Sequence, residues 1–480
     1  MFSLLIFVPL FIVMLINMPF GGIRKSAYIL AFLLALAQIV FTLLAFFTPL
    51  SPLSSGRQDI LGNFFNFRIG VDNLTLVLLF CIGLTLLVTL LTGREVVVDQ
   101  RQRFNFVNLL VIAMAGLNGI VLAQDIFTMY VFLEIAAVAS YILISFQKGI
   151  LALEAAFKYL ILSAAASVLM LSAIALLVLV SGDTSFAIIS QALRDGSGGF
   201  PVKLALGLFV CGFAIKGGII PFHGWLPDAY TEAPAPVSIF LAGIVTKTLG
   251  LYTLIRVVTV LFGQAAYISQ ILLVMGILSV VFGAWMALTQ NDFKRMLAYS
   301  SISQVGYIIL GLACGPGWGL AGAILHILNH TVFKSLLFVN SAAVETKTGT
   351  RNMDQLAGLS DRMPVTSFTS IIASLSAAGV PPLAGFWSKL LIIIGLWQAG
   401  FKLVAVIAVL ASIITLGYLL SIQRRVFWGK LGSELLNVKE AKGGIMISAV
   451  LLAAIAIGVG LAFPFIPAAM LNSLSSLLGG

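Results

Sequence analysis

The 480-residue chain is 60% hydrophobic and only 9% charged, with a mean hydropathy of +1.12, which excludes an ordinary soluble globular domain. Apolar runs of about 18 residues or more recur along almost its whole length and predict membrane-spanning helices, while the lack of strand-like alternation argues against a membrane β-barrel. The net charge of +10 reads as cytoplasmic loops rich in Lys and Arg, not as a surface for nucleic acid.

In chain order the pattern predicts fourteen spans. They lie near residues 3–20, 27–48, 71–92, 105–123, 125–146, 154–181, 202–221, 235–260, 266–289, 295–313, 318–340, 364–397, 402–427 and 443–463. The opening MFSLLIFVPLFIVMLINMPFGGIRK has its positive charge after the apolar run and no small-residue cleavage site. It is expected to be an uncleaved first helix. The seventh span is interrupted at Gly217-Gly218 and Pro221, and PFHGWLPDAYTEAPAP prolongs the interruption. His223, Asp228 and Glu232 in that stretch are expected to cap and shape a cytoplasmic connection. The twelfth span is too long for one crossing and contains Pro381-Pro382, which predicts a broken helix. GPGWG at 315–319 reads as a turn between helices.

Sixteen Lys and Arg fall in loops after odd-numbered spans, and six lie on the other side, Arg57 and Arg256 among them. That imbalance predicts both termini on the non-cytoplasmic face. The two interrupted spans are five helices apart, and an odd offset runs the two copies in opposite directions. An inverted repeat of helices 4–8 and 9–13 is therefore expected. The corresponding segments are 1–104 for helices 1–3, 105–262 for the first repeat, 263–430 for the second, and 431–480 for helix 14 and the tail. Asp125 through Tyr141 faintly echoes Asp292 through Tyr307; nine residues beyond the aspartate stand Glu134 in one copy and Ser301 in the other.

Six ionisable residues sit inside apolar stretches: Glu134, Lys158, Lys216, Lys247, Lys334 and Lys389. A charge near the bilayer midplane costs about 2.5–3.5 kcal/mol on insertion scales, so such residues point to function. A lysine in a low-dielectric site can bind and release a proton near neutrality, and a carboxylate beside it favours the charged form. Glu134 with Lys216 is the expected pair, with Lys247 and Lys389 carrying the proton onward. His326, His330 and Lys334 at i, i+4 and i+8 share one helical stripe and suit a proton relay. HxxxH can also bind zinc, but no Glu follows the first His and no third ligand is apparent. Lys158 with Glu154, at i, i+4, and Asp72 are secondary candidates. Each interruption sets a lysine, Lys216 or Lys389, beside backbone groups freed from helical bonding, which at membrane depth line a polar cavity or are buried in protein.

Cys81, Cys211 and Cys314 are isolated, so cysteine ligation of zinc, haem or iron–sulfur is not expected. There is no Gly-rich nucleotide fingerprint in strand context, no Walker motif and no hydrolase elbow. No cofactor is expected.

KGGIIPFHGWLPDAYTEAPAPVSIFLAGIVTKTLGLYTLIR, NDFKRMLAYSSISQVGYI, HILNHTVFKSLLF and AAGVPPLAGFWSKLL together resemble the antiporter-like subunits shared by respiratory complex I, Mrp-type cation/proton antiporters and membrane-bound hydrogenases. The resemblance spans roughly residues 60–430. It implies an all-α polytopic fold of fourteen helices with the 4–8/9–13 inverted repeat. It implies that Glu134 and Lys216 match the family's ion pair, Lys247 its middle lysine and Lys389 its terminal lysine, with His326, His330 and Lys334 as the connecting relay. Lysine at 389, where some complex I members carry Glu, looks more like the Mrp D-type and hydrogenase-type subunits. The chain ends soon after helix fourteen, so the long lateral helix of the distal complex I subunit is not expected. Leu133 stands where relatives often have an aromatic.

The function expected is therefore proton translocation by a subunit of a larger membrane complex, whose partners are other membrane subunits, including homologous ones, and lipid. Such a complex can be an oxidoreductase, with no redox site in this chain. Na⁺ stays open as a second ion. A self-sufficient cation/proton or solute transporter and a non-transporting scaffold are the alternatives.

Overall fold

A computed structural model describes residues 2–18, 21–47, 68–196, 199–263 and 266–465. Arg57, counted above, lies outside the described residues. Within them the chain is helical, without strands and with only three isolated β-bridges. The helices are α1 (Leu4–Asn17), α2 (Gly21–Phe47), α3 (Asn73–Val96), α4 (Gln100–Leu122), α5 (Ile126–Ile144) and α6 (Ile150–Ser181). Then come α7 (Phe186–Arg194), α8 (Gly199–Gly217), α9 (Trp225–Glu232), α10 (Ala235–Leu261), α11 (Ala266–Leu288) and α12 (Phe293–Ala313). The last are α13 (Trp318–Thr348), α14 (Pro364–Ala378), α15 (Ala384–Gln398), α16 (Lys402–Ile422) and α17 (Gly443–Ala462).

Twelve of these are long and apolar enough to cross a membrane, making the chain a multi-pass membrane protein; α1, α14 and α15 are shorter and apolar. The predicted seventh span ends as α8 at Gly217 and resumes as α9. The predicted twelfth is divided into α14 and α15 by residues 379–383. Asp228 and Glu232 lie on α9 rather than in a loop, and neither caps a helix. They make ion pairs instead, Asp228 with Lys158 and Arg295, Glu232 with Arg351.

Which helices are central follows from where polar residues must go. α10, α12 and α13 carry Lys247, Ser300, His326, His330 and Lys334, and they are almost wholly enclosed by the other helices. α2, α6 and α16 turn Ile29, Leu33, Phe157, Val168, Leu403 and Ile413 outward. Lipid tails are as apolar as leucine, so helices bearing hydrogen-bonding groups gain by pairing with one another inside the bundle.

Two parts of the chain repeat one arrangement. Asp125 caps α5 through Thr128 N at 2.7 Å, and its backbone pairs antiparallel with Ser185, just after α6. Asp292 caps α12 through Arg295 N at 2.9 Å and pairs in the same way with Asn352, just after α13. In each case α5 or α12 packs on the helix before it, α4 or α11. α6 packs on α8, and α13 on α15.

Away from the centre, Asp72 caps α3 and grips Arg256 of α10 with both carboxylate oxygens, at 2.5 and 2.6 Å. Tyr252 and Thr75 accept from the same guanidinium. This secondary candidate therefore anchors α10 to α3. Burial pushes the Asp72 carboxyl up, but the Arg256 charge and hydrogen bonds outweigh it and hold the group below the usual carboxylate range. A depressed carboxylate stabilises the fold above its unfolded pKa, about 4, and that contribution is lost as pH falls below it. Arg256→Ala strands a part-buried carboxylate and should cost about 3 kcal/mol. Thermal unfolding in detergent should show a lower Tm at pH 7 and a shallower loss of Tm below pH ~4 than in the parent.

Candidate functional site

The seventh span breaks because Gly217 and Gly218 precede Pro221, which has no N–H to continue the ladder. Gly218 takes a φ of +64°, a conformation that favours glycine. The freed backbone groups are not left facing lipid: Trp225 donates its indole N–H to the Ile215 carbonyl at 2.8 Å, and Ser279 of α11 accepts from Ile220 N at 3.1 Å. The last turn of α8 carries Lys216, which is fully buried. Its Nζ lies 3.2 Å from Glu134 Oε1 of α5, 2.6 Å from Ser163 Oγ and 3.4 Å from Ser167 Oγ, both of α6. Ser167 donates to the same Glu134 oxygen at 2.5 Å.

From there the charged groups continue through the bundle. The backbones of α8 and α10 touch at Gly217 and Gly250, where a Cβ on Gly250 would come 2.3 Å from Gly217 Cα. One turn earlier on α10, Lys247 is buried and donates to the Ala242 carbonyl in a π-helical stretch. On α13, Lys334 donates to Ser300 Oγ and to the Leu297 carbonyl of α12. His330 lies within electrostatic range of Lys247, Lys334, His326 and Lys389. Among the described residues, neither of its ring nitrogens has a hydrogen-bond partner in the protein. Its ring centroid is 6.3 Å from that of His326, whose Nδ1 is 2.9 Å from Ser388 Oγ. Ser388 is the neighbour of Lys389.

Lys389 completes the row and explains the second break. α14 ends at Gly379, which adopts a φ of +85°. That leaves the last carbonyls of α14 without helical partners. Lys389 Nζ takes two of them, Ala377 O at 2.8 Å and Ala378 O at 3.3 Å, at the negative end of the helix dipole. The ammonium also sits 4.4 Å from the centre of the Tyr307 ring, a cation–π contact.

The structure thus pairs Glu134 with Lys216 and gathers Lys247, His330, Lys334, His326 and Lys389 as a second group, with the α8–α10 backbone contact at Gly217 and Gly250 between the two. It sets Lys158 apart. That side chain is about half exposed and pairs with Glu154 at 2.8 Å and Asp228 at 2.9 Å, so it is neither alone nor buried. Sequence reasoning overlooked the hydroxyls of Ser163, Ser167, Ser300 and Ser388 and the ring of Tyr307. The visible signal was the i, i+4 pair of serines in the otherwise apolar stretch 160–171 of α6. Among the described residues no three His, Cys, Asp or Glu side chains cluster as metal ligands.

Enclosed lysines and histidines, with one half-buried carboxylate and two broken helices, define a class of polytopic membrane protein. A sequence model of the NADH:quinone oxidoreductase/Mrp antiporter transmembrane family matches residues 123–415, and the chain belongs to that family. The N subunit of NADH-quinone oxidoreductase from Desulforudis audaxviator is 38% identical over 320 residues, 66% of this chain but 64% of that protein, under two thirds of its length. The D-type subunit of the Na⁺/H⁺ antiporter of Alkalihalophilus pseudofirmus is 30% identical over 371 residues, 77% of this chain and 75% of the relative. A chain of the membrane-bound sulfane sulfur reductase, an archaeal respiratory membrane complex, superposes with a TM-score of 0.85 at 28% identity, covering 98% of this chain and 96% of that one.

Proposed function

We propose that this chain is a proton-translocating, antiporter-like subunit of a multi-subunit membrane complex, moving H⁺ along the row from Glu134 and Lys216 through Lys247, His330, Lys334 and His326 to Lys389. One observation carries the reading: a fully buried lysine at a broken helix, ion-paired at 3.2 Å, stands at one end of a row of enclosed titratable groups. Its energetics suit the task. One pKa unit corresponds to about 1.36 kcal/mol, and a salt-bridge partner shifts a group by about 1–3 units. Moving one charge through 100 mV costs about 2.3 kcal/mol. Making or breaking the Glu134–Lys216 pair is therefore of the size needed to drive a proton uphill.

The repeated Asp-capped arrangement supports reading 105–262 and 263–430 as an inverted repeat, with α14 and α15 together forming one crossing and α1 another, for fourteen in all. The basic-loop imbalance supports termini on the non-cytoplasmic side. Lysine at 389 supports kinship with the Mrp D-type and hydrogenase-type subunits. The partners are other membrane subunits, homologous ones among them, and any redox chemistry belongs to those partners.

The test is the intact complex reconstituted into vesicles containing an acid-sensitive dye. Glu134→Ala should assemble normally and lose proton movement; normal pumping by that variant would leave the scaffold reading standing.

A further inference from the structure

The two Asp-capped units can be aligned on their β-bridges. Ser163 and Ser167 stand 22 and 18 residues before Ser185, as His330 and Lys334 stand 22 and 18 before Asn352. Where the second unit has two titratable side chains, the first has two hydroxyls, and both hydroxyls touch the ion pair. Hydroxyls one turn apart in a helix usually return their hydrogen to the carbonyl four residues back. Ser167 does so, to Ser163 O at 2.8 Å, but its oxygen is also 2.5 Å from Glu134 Oε1 and 3.4 Å from Lys216 Nζ. It has one hydrogen and two acceptors for it. Its lone pairs remain free to accept from the ammonium.

We infer that Ser167 is the hydroxyl through which Lys216 and Glu134 exchange a proton, and that Ser163 is the positioning residue that holds the lysine nitrogen in place while its charge changes. This assignment rests on the translocation reading above. In the hand-over an N–H bond of Lys216 breaks as its proton passes to Ser167 Oγ. The Ser167 O–H bond breaks as that hydrogen passes to Glu134 Oε1. Serine ends with one hydrogen as it began, lysine becomes a neutral amine, and the carboxylate becomes a neutral carboxylic acid. The renewed Ser167 hydroxyl faces the neutral Lys216 amine while its oxygen accepts from the protonated Glu134, which readies the bridge for the reverse step. Ser163 Oγ, 2.6 Å from Nζ and itself buried, accepts from the ammonium or the amine alike. The direct 3.2 Å contact between Lys216 and Glu134 shares its nitrogen with both serines, so the bridge need only be faster than the direct route.

The experiment uses the whole complex in vesicles and compares Ser167→Thr with Ser167→Val. These side chains have nearly the same shape and differ in the hydroxyl, so a packing role would not separate them. Thr is expected to pump at near the parent rate. Val should assemble equally well but pump about tenfold more slowly, the size of one lost hydrogen bond, with an altered solvent deuterium isotope effect. Ser163→Ala should slow pumping without altering the isotope effect. Equal rates and isotope effects for Thr and Val would overturn the assignment of Ser167. If Glu134→Ala and both Ser167 variants all pump like the parent, the translocation reading fails instead. If only the serine variants do so, that reading stands and the bridge alone is wrong.

Discussion

Replacing Lys216 with alanine should abolish proton translocation while the subunit remains in its complex. The ammonium is fully enclosed and held by Glu134, Ser163 and Ser167, so its removal takes away the one cation within salt-bridge distance of Glu134 among the described residues. The half-buried Glu134 carboxylate is left without its partner, and the site no longer has an ion pair to make or break. The rate should drop by at least about 100-fold, the contribution typical of a placed acid–base group. Lys216→Arg separates charge from proton exchange. Guanidinium keeps the positive charge but does not release its proton, and its planar fork does not match the three oxygens around Nζ. The arginine variant is expected to assemble and to be as inactive as alanine. Dye quenching in vesicles, with assembly checked by size-exclusion chromatography, reads both outcomes. An arginine variant that pumps would show that fixed charge is enough at this position.

The second large effect is expected at His330 and Lys334. Among the described residues His330 has no hydrogen-bond partner in the protein for either ring nitrogen, so His330→Ala breaks no hydrogen bond, but it opens a cavity against Phe333 and His326. Loss of transport in a His330→Ala variant that still assembles reports the relay and not unfolding. Lys334→Ala removes the donor to Ser300 and Leu297 and should stop transport to a similar degree. If the two lie in series on one route, each single variant should slow pumping about 100-fold, and the double variant should be no slower. Two parallel routes would instead leave each single variant near the parent rate and stop only the double variant. On α12 and α13, both amide atoms of Gln304 and the Ser341 hydroxyl also have no protein partner among the described residues, and such buried groups are the ones that take up water. A wet relay of this kind predicts that transport survives conservative His330→Gln better than His330→Ala.

Much of the candidate site was legible along the chain because membrane burial is so selective. An apolar run of about 19 residues tolerates a lysine only for a reason, so Lys216, Lys247, Lys334 and Lys389 announced themselves by context alone. The two broken helices were equally readable, since Pro221 and Pro382 sit beside glycines in otherwise continuous runs. Lys158 misled for the opposite reason. Its apolar neighbours on α6 suggested burial, but the side chain reaches Asp228 on α9, a contact 70 residues away that no local pattern encodes. Asp228 and Glu232 look like loop residues in the sequence because WLPDAYTE is short, polar and flanked by prolines. The helix forms there because Trp225, Leu226, Ala229 and Tyr230 are buried against the bundle.

By itself the sequence determined that the chain crosses the membrane many times, which residues pay the desolvation cost of sitting inside, and where two helices must break, because these depend on composition over one or two turns. Only tertiary structure decided that two serines join the Lys216–Glu134 pair, that Lys389 is answered by the carbonyls of a severed helix, and that Asp72 binds Arg256 and Lys158 binds Asp228 away from the row. Those outcomes depend on which helix faces which across long sequence separations. In a bilayer that choice is made by packing and hydrogen bonding between whole helices, and the hydropathy of a single helix carries no record of it.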